Sequence, residues 1–121
     1  DMIIEVSSAI YRNTRQTFIV MVKNDGIIKD MPDDAMVEVA ASVGVNGPQP
    51  YAVGEIGTFY HALMVNQYSY ERLAIEAYFE HSYEKALQAL TLNRLVNDGK
   101  EARKVLDKLI EANKDYWPEL K

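Results

Sequence analysis

Residues 36–43, Met36-Val37-Glu38-Val39-Ala40-Ala41-Ser42-Val43, decide the fold. Val37, Val39, Ala41 and Val43 alternate with Met36, Glu38, Ala40 and Ser42, and a period of two marks a strand whose faces differ. Turn chemistry brackets the strand. Pro32-Asp33-Asp34 precedes it and Asn46-Gly47 follows, where glycine supplies the positive φ that a tight turn needs. Upstream, Thr17-Phe18-Ile19-Val20-Met21-Val22-Lys23 is apolar on both faces, which predicts a buried strand. Asn24-Asp25-Gly26 ends it. Downstream, Pro48 and Pro50 stiffen the chain, and Tyr51-Ala52-Val53 is expected to return as a short third strand. Residues 2–13 read as a short helix, with Ile3, Val6 and Ile10 at helical spacing.

From Thr58 the pattern changes to helix. The spacing predicts helices over 58–67, 70–80, 83–96 and 100–114. Ser69, Ser82 and Asp98 stand as N-caps, with Glu71, Glu84 and Glu101 in the first turns. Leu106, Leu109 and Ile110 form one apolar stripe, and Tyr83, Leu87 and Leu90 another. Pro118 bars further helix. Strands followed by a run of helices give an α+β fold: a short N-terminal helix, a small β-sheet with turns, then a C-terminal helical bundle. Residues 1–121 read as one domain with a strand-rich part, 1–57, and a helical part, 58–121.

Composition narrows the function classes. The chain has 121 residues, 48% hydrophobic and 26% charged, with no cysteine. That is enough apolar material for a core, with no disulfide framework and no thiolate metal site. The net charge is −5, concentrated in residues 1–55, which hold four basic and eight acidic side chains. No basic stripe exists to neutralise phosphates, so nucleic-acid binding is set aside. No apolar run reaches the ~20 residues of a membrane span, and cytoplasmic life is expected. The first residue is Asp1, so a processed chain or a piece of a longer one is expected.

No Gly-x-Gly-x-x-Gly and no Gly-x-x-x-x-Gly-Lys-Ser/Thr is present. His61 and His81 are too far apart for a helical zinc pair. Asp33 and Asp34 beside Pro32 read as a turn. Glu38 is a charge on an apolar strand, either solvated or a polar contact at a site edge. Lys23 and Asn24 end a strand, where enzymes display polar side chains, and they are the candidate substrate-binding residues, Lys23 as a point charge for phosphate. Eight tyrosines, among them Tyr60, Tyr68, Tyr70, Tyr78 and Tyr83, read as core or interface. No catalytic, metal or cofactor-binding constellation emerges.

Three pieces in order carry a resemblance. They are Asn24-Asp25-Gly26-x-Ile28; Pro32-Asp33-Asp34-Ala35-x-Val37-Glu38-Val39; and Asn46-Gly47-x-x-Pro50-x-x-x-Gly54. Together they resemble the C-terminal region of family 4 glycoside hydrolases. The tail, Leu109 to Lys121 with Asp115-Tyr116-Trp117-Pro118, is similar to that of the 6-phospho-α-glucosidase (maltose-6'-phosphate glucosidase) branch. The resemblance implies a parent enzyme that uses NAD and a divalent metal, usually manganese. In that scheme a hydride leaves C3 of a phosphorylated sugar, a tyrosine takes the C2 proton, the aglycone is eliminated, water adds and the hydride returns.

The resemblance also implies an N-terminal dinucleotide-binding domain and Cys and His metal ligands upstream, and a proton-abstracting tyrosine close to or before residue 1, a role not carried over to Tyr11. The present chain is then a C-terminal domain, inactive alone, that completes the sugar-phosphate pocket and takes part in a homo-oligomer. Relatives commonly carry Pro-Cys where Ala40-Ala41 stand, and Gly-Asp-Ile-Pro where Gly54-Glu55-Ile56-Gly57 stand. The alternative is a stand-alone interaction or oligomerisation module built on the tyrosine-rich helices.

Overall fold

The computed structural model describes residues 1–121. It contains α1 (Met2–Arg12), β1 (Gln16–Lys23), β2 (Met36–Gly44), β3 (Gly47–Pro50), α2 (Thr58–Glu80), α3 (Tyr83–Leu92) and α4 (Gly99–Ala112). The architecture is α+β, a helix and a three-stranded antiparallel sheet followed by helices. Two compact units divide the chain, Asp1–His61 and Ala62–Lys121.

The first unit is built on its strands. Helix α1 starts where the Asp1 carboxylate accepts the Ile3 N–H, and it stops at Asn13, whose φ of 52° is left-handed. Such a cap takes up otherwise orphaned carbonyls, here those of Ala9 and Ile10. The Val6 and Ala9 side of α1 packs on Phe18, Val20 and Val43. Strand β2 is central, paired with β1 on one side and β3 on the other. Val37, Val39, Ala41 and Val43 are all buried, as the alternation requires.

Two sequence expectations fail here. Strand β1 is not buried on both faces: Phe18 is covered, but Ile19 and Met21 are 53% and 63% exposed. A pleated strand turns successive side chains to opposite faces, and this chain covers only one of them. The third strand is Gly47–Pro50 rather than residues 51–53. The Asn46-Gly47 turn returns the chain at once, pairing Gly47 with Gly44 and Pro50 with Ala41. Proline survives there because β3 is an edge strand and does not need every N–H.

The second unit is helical. Residues 58–67 and 70–80 form one helix, α2, of 23 residues. Ser69 therefore lies inside it and caps nothing. A capping residue ends a helix only where the backbone leaves helical geometry, and no Gly or Pro interrupts 58–80. Ser82 and Asp98 do cap, accepting the N–H groups of Lys85 and Glu101. Helix α3 stops at Leu92, short of residue 96, and α4 runs 99–112. The core of this unit is Ala77, Ala89, Ala102 and Leu106. Three alanines let the helices approach closely, and burying Leu106 stabilises by about 2 kcal/mol. No helix is long and apolar enough to cross a membrane.

Candidate substrate-side loop

The connection between β1 and β2, residues 24–35, carries most of the polar chemistry of the first unit. Asn24 organises it. Its side chain is wholly buried. Its amide nitrogen donates to the carbonyls of Ile28, Met31 and Pro32 at 3.1, 3.0 and 3.3 Å, and its Oδ1 accepts the Ile28 N–H at 2.8 Å. The Asn24 main chain adds a bond from its N–H to the Ala35 carbonyl at 2.8 Å. A buried amide is costly unless satisfied, and this one is.

A second segment straps the loop from outside. The Val53 and Gly54 N–H groups both donate to the Ile27 carbonyl at 3.0 Å, and the Lys29 N–H donates to the Gly54 carbonyl at 2.9 Å. Lys29 also pairs with Glu55. His61, in the first turns of α2, sets its Nε2 3.1 Å from the Asp30 carbonyl. The backbone is bent to suit: Asp25, Gly26, Asp30 and Gly54 all have φ between 40° and 83°. Non-glycine residues enter that region rarely; here Asp30 is tied by the His61 contact and Asp25 by its own N–H to the Asp33 carbonyl.

Lys23 stands at the mouth of the loop, exposed, with Nζ 2.6 Å from Asp25. The hydrogen bond to Asp25, then that carboxylate's charge, raise its pKa further above the ordinary lysine value, with Asp33 and Asp34 adding to the rise. Lys23 and Asn24 are thus neighbours with opposite settings, one solvated and ion-paired, the other sealed into the loop. Asp33 lends its carbonyl to the Asp25 N–H at 3.1 Å, a turn contact. Glu38 is exposed on the open face of the central strand, opposite Met21.

The remaining candidates are dispersed. His81 is exposed at a left-handed φ of 56° between α2 and α3. Tyr83 donates to Asp107 at 2.7 Å, and that bond raises its pKa, which opposes a role as proton acceptor. Tyr70 and Tyr78 border a groove of about 450 Å³ that Ala77, Ala89, Leu106 and Trp117 also line. The strap on the loop was not read from sequence: Lys29, Asp30, Glu55 and His61 meet only after folding. The one available signal was Gly54, whose φ of 75° suits glycine.

The chain's own residues do not fit a metal or a dinucleotide. No three His, Cys, Asp or Glu side chains are placed to share an ion. No glycine-rich strand-to-helix turn exists to hold a pyrophosphate.

Comparison with known proteins places this geometry. The profile of the family 4 glycosyl hydrolase C-terminal domain matches residues 1–96. The phospho-alpha-glucosidase PagL of Clostridium acetobutylicum is 48% identical over 120 residues, 99% of this chain and 27% of that protein. A maltose-6'-phosphate glucosidase of Bacillus subtilis is 45% identical over 98% of this chain and 26% of its own length. Among solved structures, a 6-phospho-alpha-glucosidase from gut microorganisms, in complex with NAD and Mn2+, superposes with a TM-score of 0.93 at 57% identity. It is covered over 28% of its length, against 99% of this chain. A second such enzyme, with NAD and glucose-6-phosphate, gives 0.92 at 45% identity, over 99% of this chain and 27% of its own. The chain spans about a quarter of the length of the curated relatives it matches. It belongs to the family 4 glycosyl hydrolases, as their C-terminal domain.

Proposed function

We propose that this domain serves a 6-phospho-α-glucosidase-type enzyme that hydrolyses phosphorylated disaccharides with NAD and manganese. The observation that carries this reading is the 57% identity and 0.93 TM-score, across nearly the whole chain, to a 6-phospho-alpha-glucosidase bound to NAD and Mn2+. The route is the redox elimination of the family. Its dinucleotide and metal would be held outside this chain, whose residues fit neither. The domain's own share is to complete the sugar-phosphate side of the pocket and to supply contacts for a homo-oligomer. Alone it is inactive, and it works in the cytoplasm.

Within this reading Lys23 is the phosphate contact. Its ammonium would exchange the Asp25 carboxylate for a phosphate oxygen, one anion for another, so it stays charged throughout. Asn24 serves the same site by fixing the loop that begins beside Lys23. The test compares the isolated chain with the full-length polypeptide, both given NAD and Mn2+. Release of nitrophenol from 4-nitrophenyl 6-phospho-α-glucoside is expected from the full-length polypeptide only. A full-length polypeptide inactive on that substrate overturns the proposed substrate class. Turnover by the isolated chain overturns the division of labour.

A further inference from the structure

The outer face of the sheet is mixed, with an exposed apolar patch beside Lys23 and Glu38. Ile19, Met21 and Met36 are 53%, 63% and 59% exposed. The strand register sets them side by side: Ile19 faces Ala40, Met21 faces Glu38, and Met36 faces Lys23. In the middle stands the Glu38 carboxylate, with no ion-pair partner in the chain. A contiguous exposed patch of large aliphatic and thioether side chains marks an interaction surface. A carboxylate under such a cover must be paired.

We infer that this face seats the preceding part of the same polypeptide, through an apolar surface that carries one lysine or arginine opposite Glu38. The inference rests on the enzyme reading above. One observation selects the occupant. Roughly three-quarters of each relative's length lies outside the matched region, 27% of one and 28% of another being covered, so a large body of chain is available to cover it. A second copy is the competing occupant, since a two-fold contact sets the patch against itself and could bring Glu38 of one copy near Lys23 of the other.

The test is methionine oxidation by hydrogen peroxide on the full-length polypeptide, native and urea-unfolded, read by peptide mass spectrometry. Met21 and Met36 are expected to oxidise at least about tenfold more slowly in the native state, like Met31, which the loop already buries. That protection persists on dilution to the monomer. Oxidation of both near the unfolded rate, with Met31 still protected, overturns the inference. So does protection lost on dilution, which assigns the face to a second copy. Glu38→Arg in the same polypeptide is expected to raise both rates by opposing the partner's cation, and unchanged rates would remove that cation. The readout is cover, not catalysis. An inactive polypeptide with both methionines protected would sink the proposed substrate and leave this inference standing.

Discussion

Asn24 and Ile28 are joined twice, the Asn24 amide donating to the Ile28 carbonyl at 3.1 Å while its Oδ1 accepts the Ile28 N–H at 2.8 Å. This reciprocal pair closes the first turn of the β1–β2 loop. Two further carbonyls, of Met31 and Pro32, hang on the same nitrogen. Asn24→Ala strips all four groups of their partner inside a buried pocket. A loss of about 3 kcal/mol is expected, because unsatisfied buried polar groups cost far more than a hydrogen bond contributes. Urea unfolding checks it. A loss under about 1 kcal/mol would show that water replaces the amide.

Caps and false caps separate cleanly. Asp98→Ala removes the acceptor for the Glu101 N–H, a 2.8 Å bond, and is expected to cost about 1 kcal/mol. Ser69→Ala, inside α2, should be neutral or slightly stabilising, since alanine is the better helix former. Thermal unfolding of the two variants should therefore move in unlike ways. Equal losses would restore a helix break at Ser69.

Gly44 lies where the end of α1 meets the sheet. A Cβ there would stand 2.5 Å from the Asn13 Oδ1. That oxygen is not free to swing away, because it accepts the Val45 N–H at 3.1 Å. Gly44→Ala is expected to cost about 1 kcal/mol, the worth of that bond, seen as a lower urea midpoint. In an Asn13→Ala background the same change should cost less, and additivity of the two would refute the clash.

The Lys85 ammonium bridges Glu76 and Glu80 at 2.7 Å each, tying α3 to α2. Hydrogen bonds from Lys85, then from Arg72, lower the Glu76 pKa, and those to Glu76 and Glu80 raise the Lys85 pKa. A depressed carboxyl stabilises above its unfolded pKa and loses that contribution as pH falls through its folded value. A raised lysine stabilises below its unfolded pKa and loses it as pH rises through its folded value. Glu76→Gln should therefore lower the melting temperature at about pH 7, and the gap to wild type should close as pH falls from the ordinary glutamate range through the depressed folded value. A gap of constant size across that range would mean packing, not charge.

On the enzyme reading, Lys23→Ala in the full-length polypeptide should raise KM for the phosphorylated glucoside about tenfold with kcat little changed, as loss of uniform binding does. An unchanged KM removes Lys23 from the site.

What the sequence disclosed was local. Asp-Gly and Asn-Gly turns, the Ser82 and Asp98 caps and the alternation of β2 are all written within a few neighbouring residues. The burial of Asn24 was not legible, because an asparagine before Asp-Gly reads equally well as a turn former in water. Nor were the merging of two helices into α2 or the position of β3. The first turns on the absence of a break, and the second on how soon Asn46-Gly47 reverses the chain. The loop's outer strap escaped for a plainer reason. His61 and Asp30 are 31 positions apart, and only the fold brings them together.

The prolines of β3 settle how the sheet ends. The Tyr51 N–H donates to Ala40 at 3.0 Å, so odd-numbered residues of this strand turn their N–H groups towards β2. Positions 48 and 50 would then turn theirs outward, and both are proline. The free rim along Gly47–Pro50 thus presents carbonyls without donors, and an incoming strand meets half a ladder there. Ribbon growth from copy to copy, the usual hazard of a small bare sheet, is closed on that side, and any strand that joins must join at β1.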